Sequence, residues 1–377
     1  MRQPGTKLDV TVFADPDYYA SFPQLYRMAN DDVVIVWQTQ ELAALRAIPE
    51  HPHWQKVARP GWAISRDKGL TWQVLSDAPK VDRIVDATNP AAPLADGGAV
   101  NISFHQDCPK HALISRGFVP GYRPYLDKNI PGIEAFPISD FGPFDNFHPF
   151  GMIRMPDGSL LASGYAAMPT DLADKPHTVM TTFFLKSTDE GRTWKYLSYV
   201  PNPNAFSFDE ADLVAGPEKN HLQVYLRVDW VYVPEAERPA DVHFDDKIYG
   251  YNLYRSESVD TGKTWSEPEK LPLWGHPPCV RRLASDNLLL VYGYRQPPYG
   301  IRACLSRDNG KTWDPKNEKI VHTFDPGGYD LGYPVATQLS DGTIVCTYYG
   351  YASPDAPDSK TPHGIFASIF DEKWLSG

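Results

Sequence analysis

Two histidines stand where they could do proton chemistry. His148, in Asp145-Asn-Phe-His148-Pro, and His276, in Gly275-His276-Pro-Pro, each open a strand-like apolar segment. An imidazole titrates closer to neutral pH than any other side chain, which suits general acid or base work, and a neutral imidazole can donate a hydrogen bond to a hydroxyl. Asp145 and Asp330 are further acid candidates near such strand openings. The two histidines lack a third ligand at a recognisable spacing, so no metal or cofactor is expected. Cys108, Cys279, Cys304 and Cys346 include no CxxC pair, and Cys304 and Cys346 lie in apolar runs. They read as buried free thiols.

The elements that must position these groups are legible as a repeat. Four segments share S-x-D-x-G-x-T-W: Ser65 to Trp72, Ser187 to Trp194, Ser258 to Trp265 and Ser306 to Trp313. Five identical positions in four copies are not an accident of composition. Asp can accept hydrogen bonds from the amides of the turn behind it, Gly supplies positive φ, and Trp can wedge into the apolar seam between neighbouring units. The motif is a structural staple for a hairpin. Ahead of each copy, or in the matching place, runs an apolar strand, a short turn and a second strand, as in Phe22 to Met28 then Val33 to Trp37, and Tyr333 to Leu339 then Thr343 to Thr347.

This periodicity predicts an all-β, six-bladed β-propeller of four-stranded antiparallel blades, with residues 1–377 as one domain. The blades fall at 10–80, 81–145, 146–203, 204–273, 274–325 and 326–377. Leu8 to Phe13 is expected to supply a strand to the last blade and close the ring. The stretch from Arg116 to Phe150, rich in Pro, Gly and aromatics, reads as a long loop over one face, with Phe136, Phe141, Phe144 and Phe147 either stacking on a ligand or covering the second blade.

Composition agrees with an all-β reading: hydrophobic residues make up 42%, enough for a large core, and 36 prolines punctuate a chain rich in aromatics. The net charge of −11 repels phosphate backbones and anionic membranes, so neither nucleic acid nor membrane is an expected partner. The opening MRQPGTKLDV has no apolar signal-peptide core, which sets a cytoplasmic location as the expectation.

The repeated turn resembles the Asp-box, or BNR repeat, of the sialidase superfamily, and with the strand pattern the resemblance covers nearly the whole chain. Sialidases hold a sugar carboxylate with three arginines and use a Tyr nucleophile, a Glu that deprotonates it and an Asp acid/base. The phenol suits a substrate whose own carboxylate would repel an anionic nucleophile. Carried over by motif, Asp209-Glu210-Ala211 resembles the family's Asn-Glu-Ser opening and makes Glu210 the base. Arg227 follows as a binding arginine. Tyr333-Pro334-Val335-Ala336 resembles the family's Tyr-Ser-Ser-Leu and makes Tyr333 the nucleophile. The third arginine is Arg295 or Arg302.

The departures are as specific. The family's first arginine falls on Ser21, and Tyr348-Tyr349-Gly350 replaces the glutamate that supports it. Between Gln38 and Ala63 there is no Asp for the acid/base role, only Glu41, Glu50, His51 and His53. The carboxylate clamp is rebuilt or abandoned. What the resemblance implies is an exo-acting glycoside hydrolase, retaining through Tyr333 and Glu210, on a glycan or glycoside whose terminal sugar is acidic, deoxy or otherwise non-standard. Two other classes stay open: a non-catalytic propeller binding carbohydrate or protein, and a lyase using histidine and tyrosine on a uronate.

Overall fold

The computed structural model describes residues 3–47, 59–104, 112–117, 134–169, 179–203, 206–229, 252–324, 327–352 and 361–377. Four antiparallel sheets have four strands each. Ala91–Pro93, Ala99–Phe104, Ala112–Gly117 and Glu134–Ile138 form the first; His148–Arg154, Leu160–Ala167, Met180–Ser187 and Lys195–Tyr199 the second. Ser207–Ala215, Leu222–Asp229, Asn252–Ser258 and Glu269–Trp274 form the third; Pro278–Arg282, Leu288–Tyr294, Gly300–Ser306 and Lys319–Thr323 the fourth.

The remaining strands merge into one nine-stranded sheet. Gly332–Gln338, Ile344–Tyr351 and His363–Phe370 run into Tyr18–Met28, Val33–Glu41, Arg59–Ser65 and Gln73–Leu75 through one parallel bridge, Tyr19 to His363. As expected, Leu8–Phe13 pairs antiparallel with His363–Phe370, so the N-terminal segment completes the C-terminal sheet. Ile84–Ala87 lies on the other side of Tyr18–Met28.

The leading strands close a circuit. Tyr18–Met28 touches Ile84–Ala87, then in turn come Ala91–Pro93, His148–Arg154, Ser207–Ala215, Pro278–Arg282 and Gly332–Gln338, which returns to Tyr18–Met28. This is a propeller, and its leading strands surround the axis.

The S-x-D-x-G-x-T-W turns are built alike. In the first, the Gly69 and Thr71 amides donate to Ser65 Oγ and Asp67 Oδ1 at 2.8 Å each, and Thr71 Oγ1 donates to Asp67 Oδ2 at 2.7 Å. The equivalent bonds recur at Asp189, Asp260 and Asp308. Lys68 and Gly69 both have positive φ, +65° and +87°, as do the matching pairs, so the turn has the twist a hairpin needs. The tryptophans do wedge between sheets. Trp265 stacks on Phe184 of the preceding sheet at 4.3 Å, and Trp313 meets Tyr225 edge-on at 5.7 Å. Burying such a ring stabilises by about 2–3 kcal/mol.

One expectation is corrected, and one open alternative is decided. The segment from Arg116 to Phe150 is not one loop, since Ala112–Gly117, Glu134–Ile138 and His148–Arg154 are strands; residues 118–133 lie outside the described set. Phe141, Phe144 and Phe147 are buried against Phe183, with Phe144 stacked on it at 4.1 Å, and Phe136 packs on the same cluster. Of the two alternatives they take the second, covering the blade as core. Cys279, Cys304 and Cys346 are buried and free, as read; Cys108 is outside the described residues.

Candidate active site

The leading strands carry one device repeatedly. Four of them bulge at matching places: between Ser21 and Gln24, Pro149 and Met152, Asp209 and Asp212, and Gly332 and Val335. A bulge adds a residue to one strand and re-aims its side chain. In three of the four, the residue inside the bulge has positive φ: Phe22 at +54°, Glu210 at +31° and Tyr333 at +47°. Such a backbone costs a bulky residue about 1–3 kcal/mol and persists only where surrounding structure enforces it.

Two of these residues meet. The Tyr333 hydroxyl donates to Glu210 Oε1, and Arg227 Nη1 donates to Glu210 Oε2. The same Nη1 lies 3.3 Å from the Tyr333 oxygen, and Arg227 Nε is 3.6 Å from Asp209 Oδ1. Glu210 and Arg227 are each 8% exposed, so the ion pair is shielded from solvent. Burial first, then the Glu210 carboxylate, pushes the Tyr333 hydroxyl well above the ordinary phenol range, with Arg227 and Arg295 pulling the other way. At rest the phenol keeps its proton. The arrangement holds a neutral phenol in hydrogen-bond contact with a carboxylate able to accept its proton.

Around the phenol lie Phe22, edge-on at 4.6 Å, Tyr349 at 5.9 Å and Phe150 at 6.3 Å. The Arg295 guanidinium sits 5.8 Å from the ring centre, its Nε donating to the Leu331 carbonyl at 3.0 Å. Phe22, Gln24, Asn89, Phe150, Pro278 and Tyr333, from around the axis, share the lining of one cavity. Behind it, Asp330 accepts from the Tyr19 and Tyr349 hydroxyls at 3.0 and 2.8 Å, and its carbonyl lies 3.0 Å from His363 Nε2.

No family model matches the chain, and no curated protein matches it. Solved structures do. A protein of unknown function from Dyadobacter fermentans superposes with a TM-score of 0.70 at 22% identity, covering 96% of this chain and 97% of that one. An α-L-arabinofuranosidase from Fusarium graminearum, in complex with an iminosugar inhibitor, gives 0.62 at 14% identity over 98% and 99%. The NanB sialidase of Streptococcus pneumoniae gives 0.60 at 10% identity over 96% of this chain and 70% of that one. The fold is a sialidase-type β-propeller.

Within this propeller the other predicted residues separate. Of the two alternative arginines, Arg295 faces Tyr333. Arg302 is directed outward: it lies over the Tyr294 ring at 4.5 Å, donates to the Pro298 carbonyl and has Glu318 at 3.7 Å. His276 is fully buried, and neither ring nitrogen has a hydrogen-bond partner among the described residues. Burial, then the charges of Arg295 and Arg227, push its proton affinity well down, which favours the neutral ring. His148 is half-buried with its ring stacked on Tyr165 at 5.1 Å. Asp145 and Glu41 are exposed. Ser21 is buried opposite Gln38 and carries no charge. Glu50, His51 and His53 lie outside the described residues.

Four site groups escaped the sequence reading: Phe22, Phe150, Tyr165 and Asp209. Burial first, then Glu210, Asp209 and Tyr333, push the Tyr165 hydroxyl up. A signal for Phe22 was available, because Phe22-Pro23 repeats the Tyr333-Pro334 pattern at the same strand position.

Proposed function

We propose that this chain is a retaining glycoside hydrolase, working on a terminal sugar from the axial cavity of a six-bladed propeller. The blade count takes the nine-stranded sheet as two blades: Leu8–Phe13 with the three C-terminal strands, and the four strands from Tyr18 to Leu75. The observation that carries the activity is the Tyr333 hydroxyl donating to a Glu210 carboxylate that Arg227 holds in place. The sialidase and arabinofuranosidase neighbours support the same reading, each being a glycosidase on this fold.

In the first step Glu210 takes the phenolic proton as Tyr333 Oη bonds to the anomeric carbon. The bond to the leaving oxygen breaks, and that oxygen needs a proton. His148, half-buried beside Tyr165, is our candidate donor. In the second step water bonds to the anomeric carbon, giving its proton to His148, while Tyr333 departs and recovers its proton from Glu210. Asp330 supports this from behind: its carboxylate is committed to two tyrosine hydroxyls.

A panel of aryl glycosides, stopped by rapid acid quench and analysed by peptide mass spectrometry, tests the proposal. A sugar adduct on the peptide containing Tyr333, and loss of turnover in Tyr333→Phe with binding retained, are the expected results. Full activity in Tyr333→Phe would sink it. His148→Ala should lower kcat/KM for glycosides with poor leaving groups by about 100-fold or more and hardly touch kcat/KM for those with dinitrophenyl leaving groups, which need no proton in the first step, while the second step slows for both. Equal loss for both would remove His148 from the acid role.

A further inference from the structure

We propose that the sugar taken by this site is uncharged, an inference that rests on the glycosidase reading and narrows its substrate class. The argument is a count of charges. Among the described residues, the carboxylates at the couple and behind it are Glu210, Asp209 and Asp330, and the guanidiniums are Arg227 and Arg295. His276 is neutral. Formally, these described residues together carry one negative charge before any substrate enters.

The two cations are not disposed as a carboxylate clamp. Arg227 is already engaged by Glu210 and Asp209, one on each side of its guanidinium. Arg295 spends its Nε on the Leu331 carbonyl and lies against the Tyr333 ring. Arg302 is turned outward to Glu318. Ser21 occupies the place where the sequence comparison set a further cation, and beside it Phe22 presses its ring edge-on to Tyr333. A carboxylate brought to Tyr333 would meet the net negative charge of these described residues, and beside the phenol the lining of Phe22, Pro149, Phe150 and Pro334 offers it no cation. In partly buried surroundings such repulsion is not screened away. That lining suits the C–H face of an uncharged ring.

The test uses matched 4-nitrophenyl glycosides, each hexoside against the hexuronide of the same configuration, with pentofuranosides and a sialoside included. Binding to the Tyr333→Phe variant is measured by isothermal titration calorimetry at 0.15 M salt. The tightest uncharged glycoside should bind at least about tenfold better than its carboxylated counterpart. A uronide or sialoside that binds equally or better, or a panel in which no uncharged member binds, overturns the inference. Cleavage by the unaltered protein is scored separately. An uncharged glycoside that binds but is not cleaved would remove the hydrolase reading and leave the charge inference standing. A carboxylated glycoside cleaved through a Tyr333 adduct would do the reverse.

Discussion

Tyr333 combines features that a merely structural tyrosine has no need of: a left-handed backbone, a carboxylate partner and two guanidiniums within its field. Arg227 is the keystone of that group, because Glu210 and Asp209 both lean on it in a buried place. Removing one partner of a buried ion pair leaves the other charge uncompensated, at a cost of about 3–5 kcal/mol. Arg227→Ala should therefore lose stability of that order in urea denaturation, and activity with it. Glu210→Gln keeps the shape and a hydrogen bond to Arg227 but cannot take the phenolic proton. It should lower kcat by about 100-fold or more, and because Asp209 still stands 3.6 Å from the Arg227 guanidinium its urea midpoint should fall less than that of Arg227→Ala.

At the scale of the element, two devices share the work. The bulge re-aims one residue of a leading strand toward the axis, and the S-x-D-x-G-x-T-W turn fixes the hairpin at the far side of the blade. In the third copy Asp260 accepts from the Thr264 hydroxyl at 2.7 Å and from the Lys263 and Thr264 amides at 3.0 and 2.9 Å. Asp260→Ala strands these donors and loosens the strand that carries Trp265, so about 1–3 kcal/mol of stability should be lost. Activity at temperatures well below the melting point should not change, since the turn touches no site residue. The buried thiols make a companion prediction. Burial pushes Cys279 up to about 12 and Cys304 up to about 11, so both stay protonated. A thiol-titrating disulfide reagent should reach Cys279, Cys304 and Cys346 only after denaturation.

The whole molecule carries its titration in two sets. Tyr19, Tyr26, Tyr225, Tyr292, Tyr348 and Tyr349 are raised above the ordinary phenol range, burial being the largest cause for each. The folded chain keeps protons that the unfolded chain releases near pH 10, so stability is complete below about pH 10 and falls as pH rises beyond it. The turn aspartates behave oppositely. For Asp67, Asp189, Asp260 and Asp308, burial opposes ionisation but the hydrogen bonds of the turn outweigh it, with Asp260 lowered to about 2. Their contribution is present above about pH 4 and fades as pH falls toward 2. Urea midpoints taken from pH 2 to 11 should trace a plateau with losses at both ends. A midpoint that stays level from pH 9 to 11 would contradict the first half of this.

By itself the sequence determined what depends on local geometry. Four turns with the same Asp, Gly and Trp dictate four hairpins, and alternation of apolar strands with short turns dictates blades, because a hairpin is decided within eight residues. It also nominated Tyr333 and Glu210, though only by their resemblance to strand openings in another family. Everything that depends on which side chain faces which was left to the tertiary structure. Arg295 and Arg302 sit seven residues apart in one hairpin, and the opposite directions they take follow from the surroundings: the Tyr333 ring for one, Tyr294 and Glu318 for the other. Whether Phe136, Phe141, Phe144 and Phe147 meet a ligand or cover a blade was decided only by the tertiary structure, which packs Phe144 on Phe183. The couple itself joins residues 123 positions apart. Only closure of the ring brings them within one hydrogen bond, because it folds distant leading strands onto a common axis.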